Sequence, residues 1–373
     1  MRAKWTTFFK ATAKAAAPTE APIGRSSHSV NVTGNSRVLV FGGEELPRVP
    51  IPINKSNSGG GFETFDLTTR KWISHPTVKT TSSSESLIIP EPRVGHATAQ
   101  IGNTVYLLGG RGGADMSPFE STLFAFNYES GNWNILAPPD APNSPPARSY
   151  HAMAASANHI FVFGGCPATG RLNDLIRFDP ASKQWSHPIA PHPDLSQRGG
   201  PGLAVLGSRL VLFGGFNGKE LGDMWTINIS DDATKTDKYE WKPVSFENND
   251  TTTTAIPGKR SVAGFVALPA LDAVVLFHGE RDPSERGHEG AGKYNDDVWV
   301  FRFTSDPNAE VQTGVWERCD VEVDDVGGQG EVDVGPTARG WISAAAWQGD
   351  KVVMVGGFDG TVRDNGVYVL SFN

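Results

Sequence analysis

The chain has 373 residues with 42 glycines, 26 prolines and ten tryptophans, and 38% of it is hydrophobic, which supplies many turns and a large core and excludes global disorder. Lys and Arg number 33 against 41 Asp and Glu, a formal net charge of −8 with no basic stretch, so no nucleic-acid partner is expected. Without a run of about 18 apolar residues no membrane partner is expected, and with neither an apolar signal core near Met1 nor more cysteines than Cys166 and Cys319 the expected location is cytoplasmic.

In chain order, Lys4-Trp5-Thr6-Thr7-Phe8 reads as a strand. Six similar units follow. Each runs from an Arg to an apolar stretch that closes on glycine: Arg25 to 38–43, Arg93 to 105–110, Arg148 to 160–165, Arg198 to 210–215, Arg260 to 274–279, and Arg339 to 352–357. The Arg stands 17 to 19 residues before the last glycine. Beyond the glycine comes an alternating strand, such as Leu175-Ile176-Arg177-Phe178-Asp179 or Val298-Trp299-Val300-Phe301, and then Trp72, Trp133, Trp185, Trp241 or Trp316. The sixth unit stops at Asn373 without its Trp strand. The N-terminal strand around Trp5 is therefore expected to complete it and remove an open edge.

Four short strands per unit, turned by paired glycines where a Cβ would crowd a neighbour, resemble the kelch repeat, whose blades form a β-propeller. The expected fold is all-β: one six-bladed kelch-type propeller with four antiparallel strands per blade, the last closed by the N-terminal strand. The blades span about 24–76, 91–138, 146–188, 196–245, 257–319, and 336–373 plus 3–9.

Insertions after the glycines are expected to gather on one face, where several blades can build one pocket. The loop 279–292 puts Glu280, Asp282, Glu285 and His288 into a glycine-rich segment, and carboxylate oxygens with one imidazole suit a divalent first-row metal such as iron(II). His28, His96 and His151 each follow their unit's Arg by three residues. They read either as a second metal cluster or as part of the repeat's hydrogen-bonding framework. The six arginines likewise read as a ring for an anion or as structurally paired groups. Cys166 reads as a small rim residue.

The segments Arg25-Ser26-Ser27-His28, Val40-Phe41-Gly42-Gly43-Glu44, Arg148-Ser149-Tyr150-His151-Ala152-Met153, Arg198-Gly199-Gly200-Pro201-Gly202 and Arg339-Gly340-Trp341 resemble the plant specifier proteins. These are the nitrile-specifier, epithiospecifier and thiocyanate-forming proteins. The resemblance implies an iron(II)-dependent, lyase-like activity that directs an unstable glucosinolate aglucone to a nitrile-type product. It implies metal ligands in a Glu-x3-Asp-x3-His pattern, on which Glu280 and His288 take the outer positions and Ser284 the middle one, with Asp282 or Glu285 as substitutes for it. Arg93 and Arg148 match by position the arginines that face the anionic small-molecule substrate. The alternative is a non-catalytic propeller that presents its rim, with aromatics such as Phe119 and Phe216, to a protein partner.

Overall fold

In this computed structural model the described residues are 1–10, 22–53, 59–75, 88–229, 239–247, 256–285, 292–323 and 335–373. Among them the secondary structure is β-strand apart from one short 3-10 turn, Pro269–Leu271. No helix among them is long and apolar enough to cross a membrane.

The central strand of each repeat explains the architecture. Val105 and Leu107 pack toward the first repeat while Tyr106 and Leu108 pack toward the third, because successive side chains leave a strand on opposite faces. A strand covered on both faces has no solvent side, and a continuous apolar run is what such a position requires. The same alternation continues through Ile160 to Phe163, Leu210 to Phe213, Val274 to Phe277, Val352 to Val355 and Val38 to Phe41. Each of six apolar clusters is consequently shared by two consecutive repeats, and the last joins the sixth to the first. The chain is an all-β propeller.

The first three repeats form separate four-stranded antiparallel sheets. The fourth and fifth share one eight-stranded sheet, because Lys242–Phe246 lies parallel to Gln312–Arg318 and pairs Val244 with Gln312. The last sheet has five strands where four are expected. Arg2–Phe9 pairs antiparallel with Val367–Phe372, Trp5 opposite Leu370, and Asp320–Val323 then pairs parallel along its other side. Trp5 is buried against Phe277 and His278. The fifth strand gives the backbone of Arg2–Phe9 partners on both sides, which a terminal edge strand would lack.

At one end of the sheets backbone hydrogen bonds stitch each repeat to the next. The amide of the second glycine donates to the carbonyl of the next repeat's Arg, as from Gly110 to Arg148 at 2.9 Å and from Gly357 back to Arg25 at 2.9 Å. A Cβ on Gly109, whose φ is +61, would stand 2.5 Å from that same Arg148 carbonyl. In the fifth repeat His278 holds the first glycine's place at φ 54 and its ring stacks on Trp5.

Candidate functional site

Two residues past each repeat Arg the chain turns through left-handed backbone, at Ser27, Gly95, Tyr150, Gly200, Val262 and Trp341. Their amides and carbonyls close a ring: Ser27 donates to Trp341, Trp341 to Val262, Val262 to Gly200, Gly200 to Tyr150, Tyr150 to Gly95 and Gly95 to Ser27, at 2.6–3.0 Å. Positive φ at a β-branched residue such as Val262 is strained and persists only where the surroundings dictate it. The ring supplies that constraint. Across it the side chains of Tyr150 and Trp341 meet edge to face, centroids 5.5 Å apart.

The residue after each glycine pair stands over this ring. Glu44, Arg111, Cys166, Phe216, Glu280 and Phe358 form isolated bridges with Ser26, Val94, Ser149, Gly199, Ser261 and Gly340. Three of them, Cys166, Phe216 and Glu280, wall a cavity of about 420 Å³ together with Arg171, Ser284 and Glu285 from the loops, and Tyr150, Gly200, Val262 and Trp341 floor it. Arg171 stacks over Phe216 at 4.7 Å, and its Nε is buried with no hydrogen-bond partner among the described residues. Beside the cavity, Arg363 donates to Ser26 Oγ at 2.9 Å and pairs with Glu44 at 3.4 Å.

Two buried acids stand on the fifth-repeat side. Glu280 is 7% exposed, and burial pushes its carboxyl up to about 7. Glu220, at the start of Glu220–Asn228, is 5% exposed and is pushed up to about 8, again chiefly by burial. Its Oε1 accepts from Ser261 Oγ at 3.3 Å while Oε2 is buried without a partner among the described residues. Ser284 and Glu285 are on the cavity wall, but Asp282 is exposed and pairs with Lys293 at 3.7 Å. His288 lies outside the described residues. Among the described residues no group of three or more His, Cys, Asp or Glu is arranged to hold a metal.

The arginines chosen from sequence occupy the frame, not the cavity. Arg148 is 0% exposed: Nε donates to Pro146 O, Nη1 to Gly164 O at 2.9 Å, and both Nη atoms grip Asp174 at 2.8 and 2.7 Å. Arg93 donates to Glu91 O and Gly109 O and lies over the rings of Phe119 and Phe124, and burial lowers its guanidinium to about 10. Such partners are what burial of a guanidinium demands. His28, His96 and His151 are frame residues too. The rings of His96 and His151 lie against Gly42 and Gly109 of the preceding repeats, and His96 bonds Ser29 Oγ at 2.9 Å. Burial, then the neighbouring Arg25 and Arg148 charges, hold His28 and His151 down to about 3. Cys166 lines the cavity as a thiol, its pKa raised by burial. Sequence reasoning missed Tyr150, Arg171, Glu220 and Trp341. Their fixed places, two after the Arg or just after the turn that follows the glycines, were the available signal.

The KLHDC2/KLHL20/DRC7 Kelch-repeats domain model matches residues 64–279. N-(sulfonatooxy)prop-2-enimidothioate sulfolyase of Thlaspi arvense is 25% identical over 334 residues, covering 87% of this chain and 85% of that protein. Kelch domain-containing protein 3 of Bos taurus is 26% identical over 200 residues, 51% of this chain and 48% of its own length. The solved structure of YjhT matches with a TM-score of 0.61 at 14% identity, over 94% of this chain and 95% of that one.

Proposed function

The chain belongs to the kelch-repeat family, and from that premise we propose that it is a six-bladed propeller with an iron(II)-dependent, specifier-like activity that directs a glucosinolate aglucone, or a related sulfur and oxime compound, to a nitrile. The ring of six backbone hydrogen bonds supports the count; the eight-stranded sheet is then two blades joined at their outer strands. The observation that carries the activity is the aromatic-floored cavity, with a cation, Arg171, on one wall and a buried carboxylate, Glu280, on another. The sulfolyase relative, alike over 87% of the chain, supports the substrate class.

The residues present fit a hard divalent ion in donor type, since Glu280 and Glu220 are buried acids and Glu220 Oε2 has no hydrogen-bond partner among the described residues. Glu280 and His288 would hold the ion, with Ser284 or Glu285 beside them. When bound, iron(II) supplies an electron-pair acceptor for the substrate's sulfur. Arg171 holds the anionic sulfate end, its guanidinium kept in place by Phe216. Tyr150 and Trp341 support the side chain and keep water from beneath it. The N–O bond breaks with its electron pair leaving on sulfate, and the C–S bonding pair becomes the new C≡N π bond as sulfur departs in elemental form. Arg93 and Arg148 serve by holding the cavity's walls in register.

Anaerobic purification, iron quantification and a product assay with myrosinase and a glucosinolate test this reading. Bound iron and a shift from isothiocyanate to nitrile are expected. No iron and an unchanged product ratio reject it. A second reading, a non-catalytic interaction module, is favoured by the exposed Leu46 and Val49 on the rim hairpin and by the match to Kelch domain-containing protein 3. It requires that Leu46→Asp abolish capture of a partner while metal removal leaves capture unchanged.

A further inference from the structure

The metal pattern that the family resemblance implies has a hydroxyl, Ser284, where a carboxylate is expected, and neither substitute from the same loop is a buried acid. Asp282 faces outward onto Lys293, and Glu285 is at the cavity's open wall. Resting on the reading of the mouth as a divalent-metal site, we infer that Glu220, from the neighbouring repeat, supplies the missing carboxylate, so that the cation is held between Glu220 and Glu280.

Three observations converge on this pair. Ser261 and Glu280 are bridged by two backbone hydrogen bonds, Ser261 N to Glu280 O at 3.0 Å and Glu280 N to Ser261 O at 2.9 Å. Directly paired residues of an antiparallel bridge send their side chains to the same face. The Ser261 hydroxyl is bound to Glu220 Oε1 at 3.3 Å, so the Glu220 carboxylate is drawn to the face that Glu280 occupies. Second, Glu220 is 5% exposed and its Oε2 is buried with no hydrogen-bond partner among the described residues. A buried acceptor of that kind calls for an ion or water to complete it. Third, no hydrogen bond or ion pair joins the Glu280 carboxylate to any described residue, and its Oε1 sits where a Cβ on Gly292 would come within 2.0 Å. Two buried carboxylates on one face repel each other, and Glu280 acts on Glu220 more strongly than the opposing charge of Arg171 does, so the pair invites a divalent ion. Oxygen donors select hard ions such as iron(II) and manganese(II) over soft ones.

The test is calorimetric and spectroscopic and uses no turnover. Chelator-treated full-length protein is titrated with manganese(II) alone, followed by heat and by the loss of the free-ion EPR signal, and repeated anaerobically with iron(II). The wild type is expected to bind one ion. Glu220→Gln is expected to weaken binding at least roughly tenfold, and Ser284→Asp in that background to restore it by placing a carboxylate on the loop itself. If Glu280→Gln loses the ion and Glu220→Gln binds as wild type does, this inference is overturned while the metal reading stands. If neither variant changes binding, or the wild type binds nothing, the metal reading falls as well. Should Glu220→Gln not fold, Ser261→Ala, which removes the hydroxyl that draws Glu220 to the Glu280 face, replaces it and is expected to weaken binding in the same direction.

Discussion

The frame and the mouth of this propeller are built from the same repeat and obey opposite rules. In the frame every repeat does the same thing: the arginine Nη1 donates to the carbonyl before the last glycine of its own repeat, at 2.8–3.1 Å in all six. At the mouth no two neighbouring positions agree, and the residue after the glycines changes from Glu44 to Arg111, Cys166, Phe216, Glu280 and Phe358. Regularity identifies the groups that hold the ring together. Where the repeat departs from itself, packing has ceased to dictate the side chain and chemistry is free to choose it.

Removing a frame arginine should have the largest effect. Arg148→Ala leaves Asp174 half-buried and unpaired, and a loss of about 3–5 kcal/mol in chemical denaturation is expected. The paired change Arg148→Met with Asp174→Leu should cost clearly less, since no charge is stranded. An equal loss from both would mean that the bond network, not the stranded charge, sets the cost.

Acid should act on the frame next. His28 and His151 are held near 3, below their ordinary 6.5, so between those values the unfolded chain binds more protons and stability falls as pH falls. From pH 6.5 to 5 the loss is about 2 kcal/mol for each histidine. Urea midpoints across that range check it, and His151→Gln should flatten the slope. Pro201, Ala263 and Ile342 stand at the corresponding positions of the other three repeats and contribute no such term.

A smaller contrast lies in the glycines. Gly109→Ala should cost about 1–3 kcal/mol, because its Cβ meets the Arg148 carbonyl at 2.5 Å in left-handed backbone. Gly102→Ala, also left-handed at φ +53 but facing open space, should cost only about 1 kcal/mol. Thermal melts of the two variants separate crowding from backbone preference.

The smallest stability change belongs to the mouth. Glu280→Gln removes a buried charge without a partner among the described residues, so the melting temperature should hold or rise slightly while metal affinity collapses. A melt that drops with the affinity would return Glu280 to the frame.

Much of the frame is legible in the sequence. Apolar runs such as 210–213 and 352–355 are uninterrupted because both faces are covered, and the recurring Arg-to-glycine interval marks one turn of a repeated unit. Trp5 was recognisable as a strand residue because the sixth repeat lacked its own Trp strand. The site was only partly readable. Glu280, which lines the cavity, stood out through its loop composition, whereas Arg93 and Arg148 were singled out by the family resemblance, and they share the buried frame position of the other four repeat arginines.

From its sequence alone this protein was determined to be a ring of like sheets, since alternation and repeat spacing are local properties that any stretch of chain carries with it. Only the tertiary structure decided that Tyr150 and Trp341 would meet across the ring, that Arg171 rather than Arg148 would reach the cavity, and that Glu220 and Glu280 would share a face. Those meetings join residues from different repeats, and closing the ring sets their distances, which no local pattern encodes.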